Sequence, residues 1–183
     1  MEYSKVFVKG LISFLFLASL GCQKSGSGAD DGSPRDPWSK PDGPPAEGAI
    51  NGRAWKFAQG KISTLQHRGK TVLIISLWNE TFPDPCSESR GSSFQARLQV
   101  LEEEGSWPID KNDPFKNYPL LIFSDLTSEL RANHNMVANS GKITIKKIEK
   151  TWVSGQITGV FPGAGVGRTE ISGSFIVPFC GSR

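Results

Sequence analysis

The chain of 183 residues has only two histidines and three cysteines, so the side chains that most often bind transition metals are scarce. Neither His67 nor His134 has a second ligand residue at the spacing typical of a zinc site. No serine lies in a Gly-x-Ser-x-Gly sequence, which would place a nucleophile on a sharp turn between strand and helix. We therefore predict no catalytic residues, no metal site and no cofactor, and a protein that is not an enzyme.

Net charge is also small, at +3 for the whole chain at pH 7. Such a weak positive charge argues against nucleic-acid binding. The densest basic stretch would place Lys142, Lys146 and Lys150 on one face of an alternating strand, with Thr144 and Ile148 between them. This face could contact anionic lipid or polysaccharide, and we favour the alternative that it is the polar face of an edge strand.

Long hydrophobic runs are missing as well. The apolar stretch Leu11–Leu20 has ten residues, whereas a helix that crosses a bilayer needs roughly 20. Lys5 and Lys9 precede this stretch, and small residues follow it. This order is typical of an export signal that is removed from the mature protein.

The signal ends in the sequence Ser-Leu-Gly-Cys, with the cysteine at position 22. This sequence resembles the lipobox of bacterial lipoproteins, with the leucine one position later than in the usual pattern. The resemblance implies that residues 1–21 are a signal peptide and that Cys22 receives a lipid anchor, including palmitate. Gln23, in place of aspartate, implies transfer to the outer membrane of the cell envelope. The alternative is a plain secreted protein in which Cys22 is incidental.

If Cys22 carries lipid, Cys86 and Cys180 are the two cysteines that remain. They are able to pair in an oxidising compartment such as the periplasm. The bridge would close a loop of roughly 95 residues and tie down the last strand. The alternative, on these grounds alone, is two free and buried cysteines.

Residues 22–48 are rich in glycine, serine, proline and acidic side chains. Such a segment cannot bury enough apolar surface to offset the entropy lost on ordering. We predict a disordered tether that lifts the rest of the chain off the membrane. Trp38 is its lone large apolar residue and could dock on the domain or on a partner, or remain exposed and uninvolved.

Residues 49–183 suffice for one domain of ordinary size. Helical periodicity is scarce, and alternating or β-branched segments recur between short polar turns. Asn51-Gly52 predicts a hairpin, and Thr71–Trp78 predicts a central strand that is covered on both faces. Pro119 either confines its segment to a sheet edge or delays the start of the strand. We predict an all-β domain, either an antiparallel β-sandwich or a small barrel.

The alternation within these segments also predicts which side chains face the core. Gly155 and Gly173 lie inside two late strands, where glycine indicates a bulge or a close backbone contact. The predicted core comprises Trp55, Phe57, Ile62, Leu73, Ile75, Leu77, Leu98, Val100, Ile143, Ile145, Ile157, Phe175 and Val177.

Two loops carry residues that are common in ligand sites. Gly163, Gly165 and Gly167 are spaced as in a phosphate-binding loop, but the residues after Arg168 form a strand rather than the helix that such a site needs. We therefore predict a hairpin loop whose tip could contact a partner. Asp110–Pro114 has three oxygen-bearing side chains, fewer than the about six to eight ligands of calcium, so we favour a solvated turn.

Several segments of the domain follow an order that resembles small, mostly uncharacterised bacterial lipoproteins. These segments are Ile50–Phe57, the loop around Cys86, Ser140–Ile148, Val153–Phe161 and Ile171–Cys180. The resemblance implies an all-β fold and a disulfide between Cys86 and Cys180. It implies no activity, because no catalytic residues are known for that group.

Together these features favour a membrane-anchored, non-enzymatic binding or structural module of the cell envelope. Its partner would be an envelope protein or a glycan, and the lipid anchor would be its contact with the membrane. The alternative is a lipocalin-like carrier, in which a closed barrel holds a small apolar ligand. An internal cavity on the order of several hundred Å³, lined by tryptophan and phenylalanine, would favour the carrier. A filled sandwich core would favour the binding module.

Overall fold

The computed structural model describes residues 42–50, 52–87, 94–110, 118–125, 135–162 and 169–180. The predicted signal peptide, Cys22 and most of the predicted tether lie outside these ranges. None of the described residues belongs to a helix that is long and apolar enough to span a bilayer. The described strands are β1 (Glu47–Ile50), β2 (Arg53–Lys56), β3 (Gln59–His67), β4 (Lys70–Trp78), β5 (Phe94–Leu101), β6 (Gly105–Asp110), β7 (Leu120–Asp125), β8 (Asn135–Val137), β9 (Ser140–Ile148), β10 (Trp152–Val160) and β11 (Glu170–Pro178).

These strands form two antiparallel sheets that pack as a sandwich. The larger sheet has the order β2-β1-β11-β10-β9-β6, and the smaller sheet has the order β3-β4-β5-β7-β8. Among the described strands, each sheet ends in edge strands with a single neighbour, so neither sheet closes on itself. The prediction of an all-β fold is confirmed. Of the two predicted architectures, a sandwich or a small barrel, the structure has the sandwich.

The core lies between the sheets because alternate residues of each strand point inward. Every predicted core residue is buried except Phe57, which is half-buried and packs against the core. The alternation within single strands therefore predicted the buried face correctly.

A cluster of aromatic rings joins the two sheets. The ring of Phe123 on β7 packs edge-to-face against Trp55, Phe94 and Phe161, with centroid separations of 6.0, 5.0 and 6.0 Å. The indole N–H of Trp55 donates a hydrogen bond of 3.2 Å to the carbonyl oxygen of Phe94. The indole N–H of this buried tryptophan therefore has a hydrogen-bond partner.

The predicted hairpin is present between β1 and β2, where Ile50 lies opposite Arg53. Gly52 has a φ of +77°, the left-handed conformation that a two-residue hairpin turn requires. Asn51 lies outside the described residues. β7 begins at Leu120, directly after Pro119, so this proline delays the strand rather than confining it to an edge.

The chain before β1 also belongs to the sandwich, although the sequence analysis assigned it to the tether. Ala46 is buried and donates its N–H to the carbonyl of Ser174 at 2.8 Å, and Ser174 donates in turn to the carbonyl of Pro44 at 2.8 Å. The carbonyl of Asp42 accepts hydrogen bonds from the Ser174 hydroxyl at 3.0 Å and from the Gln156 amide at 3.3 Å. This segment therefore runs along β11 and reaches β10.

Both glycines that were predicted to mark a bulge or a close contact do so. The pairing of β9 with β10 shifts register between Ser154 and Gly155, which is a β-bulge. At Gly173, where φ is +133°, a Cβ atom would lie 2.5 Å from the Cα of Ala46. Only glycine allows the segment before β1 to approach β11 this closely.

The bulge changes which side chains at the end of β9 face solvent. Beyond it, Ile148 lies opposite the buried Val153 and packs against the core, while Lys147 takes the outward position opposite Ser154. The prediction that Ile148 lies on the lysine face is wrong, because one extra residue reverses the alternation. The prediction of an edge strand is also wrong, since β6 pairs along β9 from Gly105 onward.

β4 is an interior strand of the smaller sheet, with the edge strand β3 and the central strand β5 as its neighbours. Leu73, Ile75 and Leu77 are fully buried on its inner face. Val72 and Trp78, on its outer face, are also fully buried. The outer face is therefore covered at both ends of the strand, and the cover over Trp78 forms part of the candidate site.

Candidate functional site

A loop after β4, residues 79–87, folds back onto the outer face of the smaller sheet. The side-chain amide of Gln59 forms two hydrogen bonds with the backbone of Phe82: it donates to the carbonyl at 3.2 Å and accepts from the N–H at 2.6 Å. The Phe82 ring packs edge-to-face against Trp78, with centroids 5.0 Å apart. These contacts hold the loop in place and bury Trp78.

The end of this loop is joined covalently to the chain after β11. Cys86 and Cys180 form a disulfide with a Cα–Cα distance of 5.0 Å, which confirms the predicted pairing. The N–H of Cys180 also donates to the carbonyl of Ile62 on β3 at 3.0 Å. The bridge and this hydrogen bond fasten the end of the larger sheet to the loop and to β3, where the two sheets meet.

The turn that carries Cys86 is closed by its own polar groups. The Asp84 carboxylate accepts a hydrogen bond of 2.9 Å from the N–H of Cys86, and the Ser87 hydroxyl donates to the Asp84 carbonyl at 3.2 Å. Two hydrogen bonds hold the pKa of Asp84 below its usual value. The larger effect comes from the backbone N–H of Cys86, and the smaller one from the side chain of Ser87. Asp84 is therefore ionised at neutral pH, and it shapes the turn.

A pocket of about 600 Å³ lies between this loop, the chain that enters β3 and the edge of β11. Its volume is in the range of small-molecule and side-chain sites. It opens at the surface, whereas the space between the sheets is filled by core side chains. The lining is mostly apolar, and three of its residues are prolines. The lining residues are Pro45, Phe57, Ala58, Gln59, Gly60, Pro85, Cys86, Ile176 and Pro178.

The backbone of β11 forms one edge of this pocket. Ser174 directs both its N–H and its C=O to the segment before β1, and Cys180 directs its N–H to Ile62. Because these groups alternate sides along a strand, Ile176 directs its own N–H and C=O into the gap between those two contacts. The chain that enters β3 lies beside this edge, because Ile62 and Phe179 form a parallel bridge. The pocket thus has mostly apolar walls beside the edge of β11, which suits the insertion of a large apolar side chain.

The predicted contact loop cannot be related to this pocket. Gly163, Gly165, Gly167 and Arg168 lie outside the described residues, so their role in partner contact stays a prediction. Cys22 likewise lies outside, and its acylation stays a prediction.

The candidate metal ligands are not gathered at one place in the described part of the chain. His67 packs edge-to-face against Tyr118, with ring centroids 5.8 Å apart. Asp110 ends β6, while His134 and residues 111–114 lie outside the described ranges. Within those ranges, no three or more His, Cys, Asp or Glu side chains are placed to hold a metal ion.

A second polar cluster joins β2 of the larger sheet to β7 of the smaller sheet. Asp125 is buried, and one guanidinium nitrogen of Arg53 donates to its two carboxylate oxygens at 3.3 and 3.2 Å. The guanidinium also lies 4.4 Å from the centroid of the Phe94 ring, within the range of a cation–π contact. These contacts are those of an ion pair that fastens an edge strand to the opposite sheet.

The sequence analysis found the disulfide but missed the pocket beside it. Phe57 was assigned to the core, and it is half-buried because its ring also lines the pocket. Pro85 and Pro178 were the available signal, since each lies within two residues of a bridge cysteine. Prolines restrict the backbone and give stiff apolar walls. That they face one pocket depends on where β3 crosses β11, which the local sequence does not specify.

Comparison of the chain with known protein families, with curated proteins and with solved structures gives no match. No role can therefore be transferred from a relative. The cysteine arrangement and the geometry of the pocket carry the functional argument.

Proposed function

We propose that this protein is a lipid-anchored, non-enzymatic binding module of the bacterial cell envelope, held at the outer membrane through Cys22. The pocket beside the disulfide is its proposed binding site. The proposed ligand is an extended polypeptide segment that inserts a large apolar side chain. This choice of a protein ligand over a glycan follows from the mostly apolar lining of the pocket.

The observation that carries the anchor is the pairing of the cysteines. The chain has three cysteines, and the bridge uses Cys86 and Cys180, so Cys22 is the one left for another use. An odd cysteine in an exported protein requires an explanation. Its place directly after a charged and apolar export signal supports acylation, and the disulfide fits an oxidising compartment.

The observation that supports binding is the combination of shape and chemistry in the pocket. The apolar walls favour insertion of a large side chain, because burial of apolar surface is the main driving force of such contacts. The walls are held by the disulfide and by Gln59, so little ordering is needed on binding.

The lipocalin-like carrier has less support as the second candidate. It needs a closed barrel around an internal cavity, whereas the described sheets are open and core side chains fill the space between them. The surface pocket includes Phe57 but no tryptophan among its described lining residues. This arrangement suits a side chain inserted from outside, so we propose the binding module.

Replacing Cys22 by alanine is expected to abolish lipid modification and to remove the protein from the outer-membrane fraction. The physical reason is that the anchor requires a thiol, and a lipoprotein signal is processed at the modified cysteine. Labelling of cells with an alkyne fatty acid, membrane fractionation and mass spectrometry of the mature protein measure both effects.

The matched control is the double variant Cys86→Ala, Cys180→Ala, which retains Cys22 and should take up the label. An unmodified thiol at position 22, or a mature chain that begins elsewhere, would contradict the anchor. Outer-membrane retention of the Cys22→Ala protein would contradict it as well.

Substitution of Ile176 by lysine is expected to weaken peptide binding at least about tenfold, because a charged side chain would replace an apolar wall of the pocket. The probe is a set of random short peptides displayed on phage and selected on the intact protein. The selected peptides should carry a large apolar residue, and fluorescence anisotropy of synthetic copies gives their affinities.

Ile74→Lys is the matched control, because Ile74 is also partly buried, on the outer face of β4 and outside the pocket lining. Thermal unfolding of both variants shows that the fold is retained. Equal affinity of the selected peptides for the Ile176→Lys protein and the unsubstituted protein would contradict the proposed site.

A further inference from the structure

We infer that the tip of the β3–β4 hairpin, from Leu65 to Lys70, is a contact surface for the anionic headgroups of a lipid bilayer. This surface is separate from the pocket, because Leu65 lies five residues beyond Gly60 along β3, a distance of about 16 Å in a strand. The inference therefore goes beyond the proposed function and assigns the domain a second contact, with a ligand of a different chemical class.

The hairpin projects from the sandwich. β3 meets the larger sheet at Ile62, which is buried and forms a parallel bridge with Phe179. Every residue from Ser63 to Lys70 is exposed, on both faces of the hairpin, whereas alternate residues of β5 and β10 are buried. The alternation that builds the core therefore stops at Ile62, and the tip is accessible to a flat surface.

Leu65 places apolar surface on this tip. Among the described residues, Leu65 and Val160 are the large apolar side chains that are exposed, at 46% and 45%. Leu65 lies opposite the fully buried Val72, so part of its surface covers that side chain and the rest faces solvent. A single exposed leucine is common on protein surfaces, so its significance here depends on the residues around it.

The side chains beside Leu65 carry positive charge. Lys70 projects from the same face, because it lies opposite His67, and His67 is two positions from Leu65 along β3. Arg68 occupies the turn between the strands. Within the described part of the chain, neither Arg68 nor Lys70 forms an ion pair.

The acidic residues near this hairpin lie at its base rather than at its tip. The sequence has no aspartate or glutamate from Gly48 to Asn79. Glu102 and Glu103 follow β5, and the N–H of Glu102 donates to the carbonyl of Thr71 at 3.0 Å. The end of the hairpin that projects furthest is therefore its positive end.

The backbone of Arg68 supplies an independent observation. Its φ is +51°, and Arg68 is the one non-glycine residue with a positive φ in the described ranges. With Gly69, at +75°, it forms the two-residue turn of the hairpin, and glycine or asparagine adopts this conformation more readily than arginine. The turn geometry does not account for an arginine here, whereas a contact made by its exposed side chain does.

An apolar side chain between cations suits a bilayer surface better than an acidic protein or a glycan. At a bilayer, Leu65 can enter the boundary between headgroups and acyl chains while Arg68 and Lys70 contact phosphate groups. A glycan has no apolar layer to receive Leu65, and a projecting tip offers no groove to a peptide. The chemistry of the tip is therefore that of a membrane interface.

This contact is weak by itself and becomes effective on a tethered domain. Each Lys or Arg near an anionic surface raises affinity about fivefold, so two cations and one leucine do not hold a free protein firmly. Twenty positions separate Cys22 from Asp42, and they span at most about 70 Å. A compact domain of this size has a radius of gyration of about 14 Å, so an anchor at Cys22 allows the tip to reach the bilayer at a high local concentration.

The test couples the full chain through the Cys22 thiol to vesicles that contain a maleimide lipid, so the result does not depend on acylation in cells. The vesicles consist either of phosphatidylcholine or of equal parts phosphatidylcholine and phosphatidylglycerol. Acetylation of Lys70 by a water-soluble reagent, followed by mass spectrometry, is measured relative to the exposed Lys56. Acetylation of Lys70 should be about fivefold slower on the anionic vesicles, and about 0.5 M NaCl should remove the difference.

Two substitutions separate this contact from the fold. Arg68→Asn should remove most of the protection of Lys70 and leave Tm unchanged or higher, because asparagine adopts a positive φ more readily. Its control is Lys142→Gln, which removes an exposed cation from β9. Leu65→Ser should also weaken the protection, and its control is Val160→Ser, because Val160 is equally exposed on the other sheet. Both controls should keep the protection.

Equal acetylation of Lys70 on both kinds of vesicle would overturn the inference. Slower acetylation of Lys142 and Lys150 in place of Lys70 would overturn it too, by assigning the lipid contact to β9. Protection on phosphatidylcholine alone, or only at high surface density, would assign the tip to a protein contact and have the same consequence. If Lys70 is protected as expected while fatty-acid labelling finds no lipid on Cys22, this inference stands and the proposed anchor alone fails.

Discussion

The double substitution Cys86→Ala, Cys180→Ala is expected to lower the free energy of unfolding by about 4–5 kcal/mol in the chain-entropy account of disulfides. The two cysteines are separated by 94 positions, so the bridge closes a long loop and removes many conformations from the unfolded chain. The bridge also ties the end of β11 to the loop after β4. Urea unfolding of both proteins measures the difference.

For a chain of this size, such a loss corresponds to a fall of roughly 10–20 °C in Tm. Both proteins should carry Cys22→Ala, so that the bridge is the one difference in thiol content. A loss below about 1 kcal/mol would show that the hydrogen bonds of Gln59 and of Cys180 hold the loop and the strand without the bridge. In that case the covalent link would not be a main source of stability.

Replacement of Phe123 by alanine is expected to lower the free energy of unfolding by about 3–5 kcal/mol. The side chain is fully buried and packs edge-to-face against three aromatic rings that come from both sheets. Its removal would leave a cavity where the sheets meet, and the surrounding strands are hydrogen-bonded and can collapse only in part. Denaturant unfolding measures the loss.

Phe123→Leu keeps most of the volume, so its loss should be about 1–2 kcal/mol. Val160→Ala is the surface control, because Val160 is 45% exposed and its truncation should change stability by less than about 0.5 kcal/mol. Similar losses for Phe123→Ala and Phe123→Leu would contradict the account, since they would show that the cavity is not the main cost.

Much of the fold could be predicted because strand formation and burial depend on local alternation. The core from Trp55 to Val177 follows from the rule that every second side chain points inward. The hairpin at Gly52 follows from turn chemistry. The close backbone contacts at Gly155 and Gly173 follow from the identity of these residues, because a Cβ atom would have no room there.

The errors arose where a distant segment determines local structure. Ile148 packs inward because the register of β9 shifts at its pairing with β10, and a register shift belongs to two strands rather than one. Ala46 is buried because the segment before β1 forms backbone hydrogen bonds with the edge of β11. The composition of that segment, rich in proline and glycine, gave no sign of this contact.

The candidate site divides in the same way. The pairing of Cys86 with Cys180 was predicted from the premise that Cys22 carries lipid, which leaves two cysteines, and from the resemblance to small bacterial lipoproteins. The pocket was not, because its walls come from segments near positions 45, 58, 85 and 177 of the chain. No single stretch of the sequence contains all of these walls.

By itself, the sequence determined that the domain is built from strands, which side chains enter its core and which cysteines are available to pair. Each of these properties depends on spacing within a few residues or on a count. The tertiary structure decided the order of strands in two open sheets, the inward turn of Ile148 and the pocket beside the disulfide. These depend on which distant backbones meet, and many sequences with the same alternation could arrange their sheets differently.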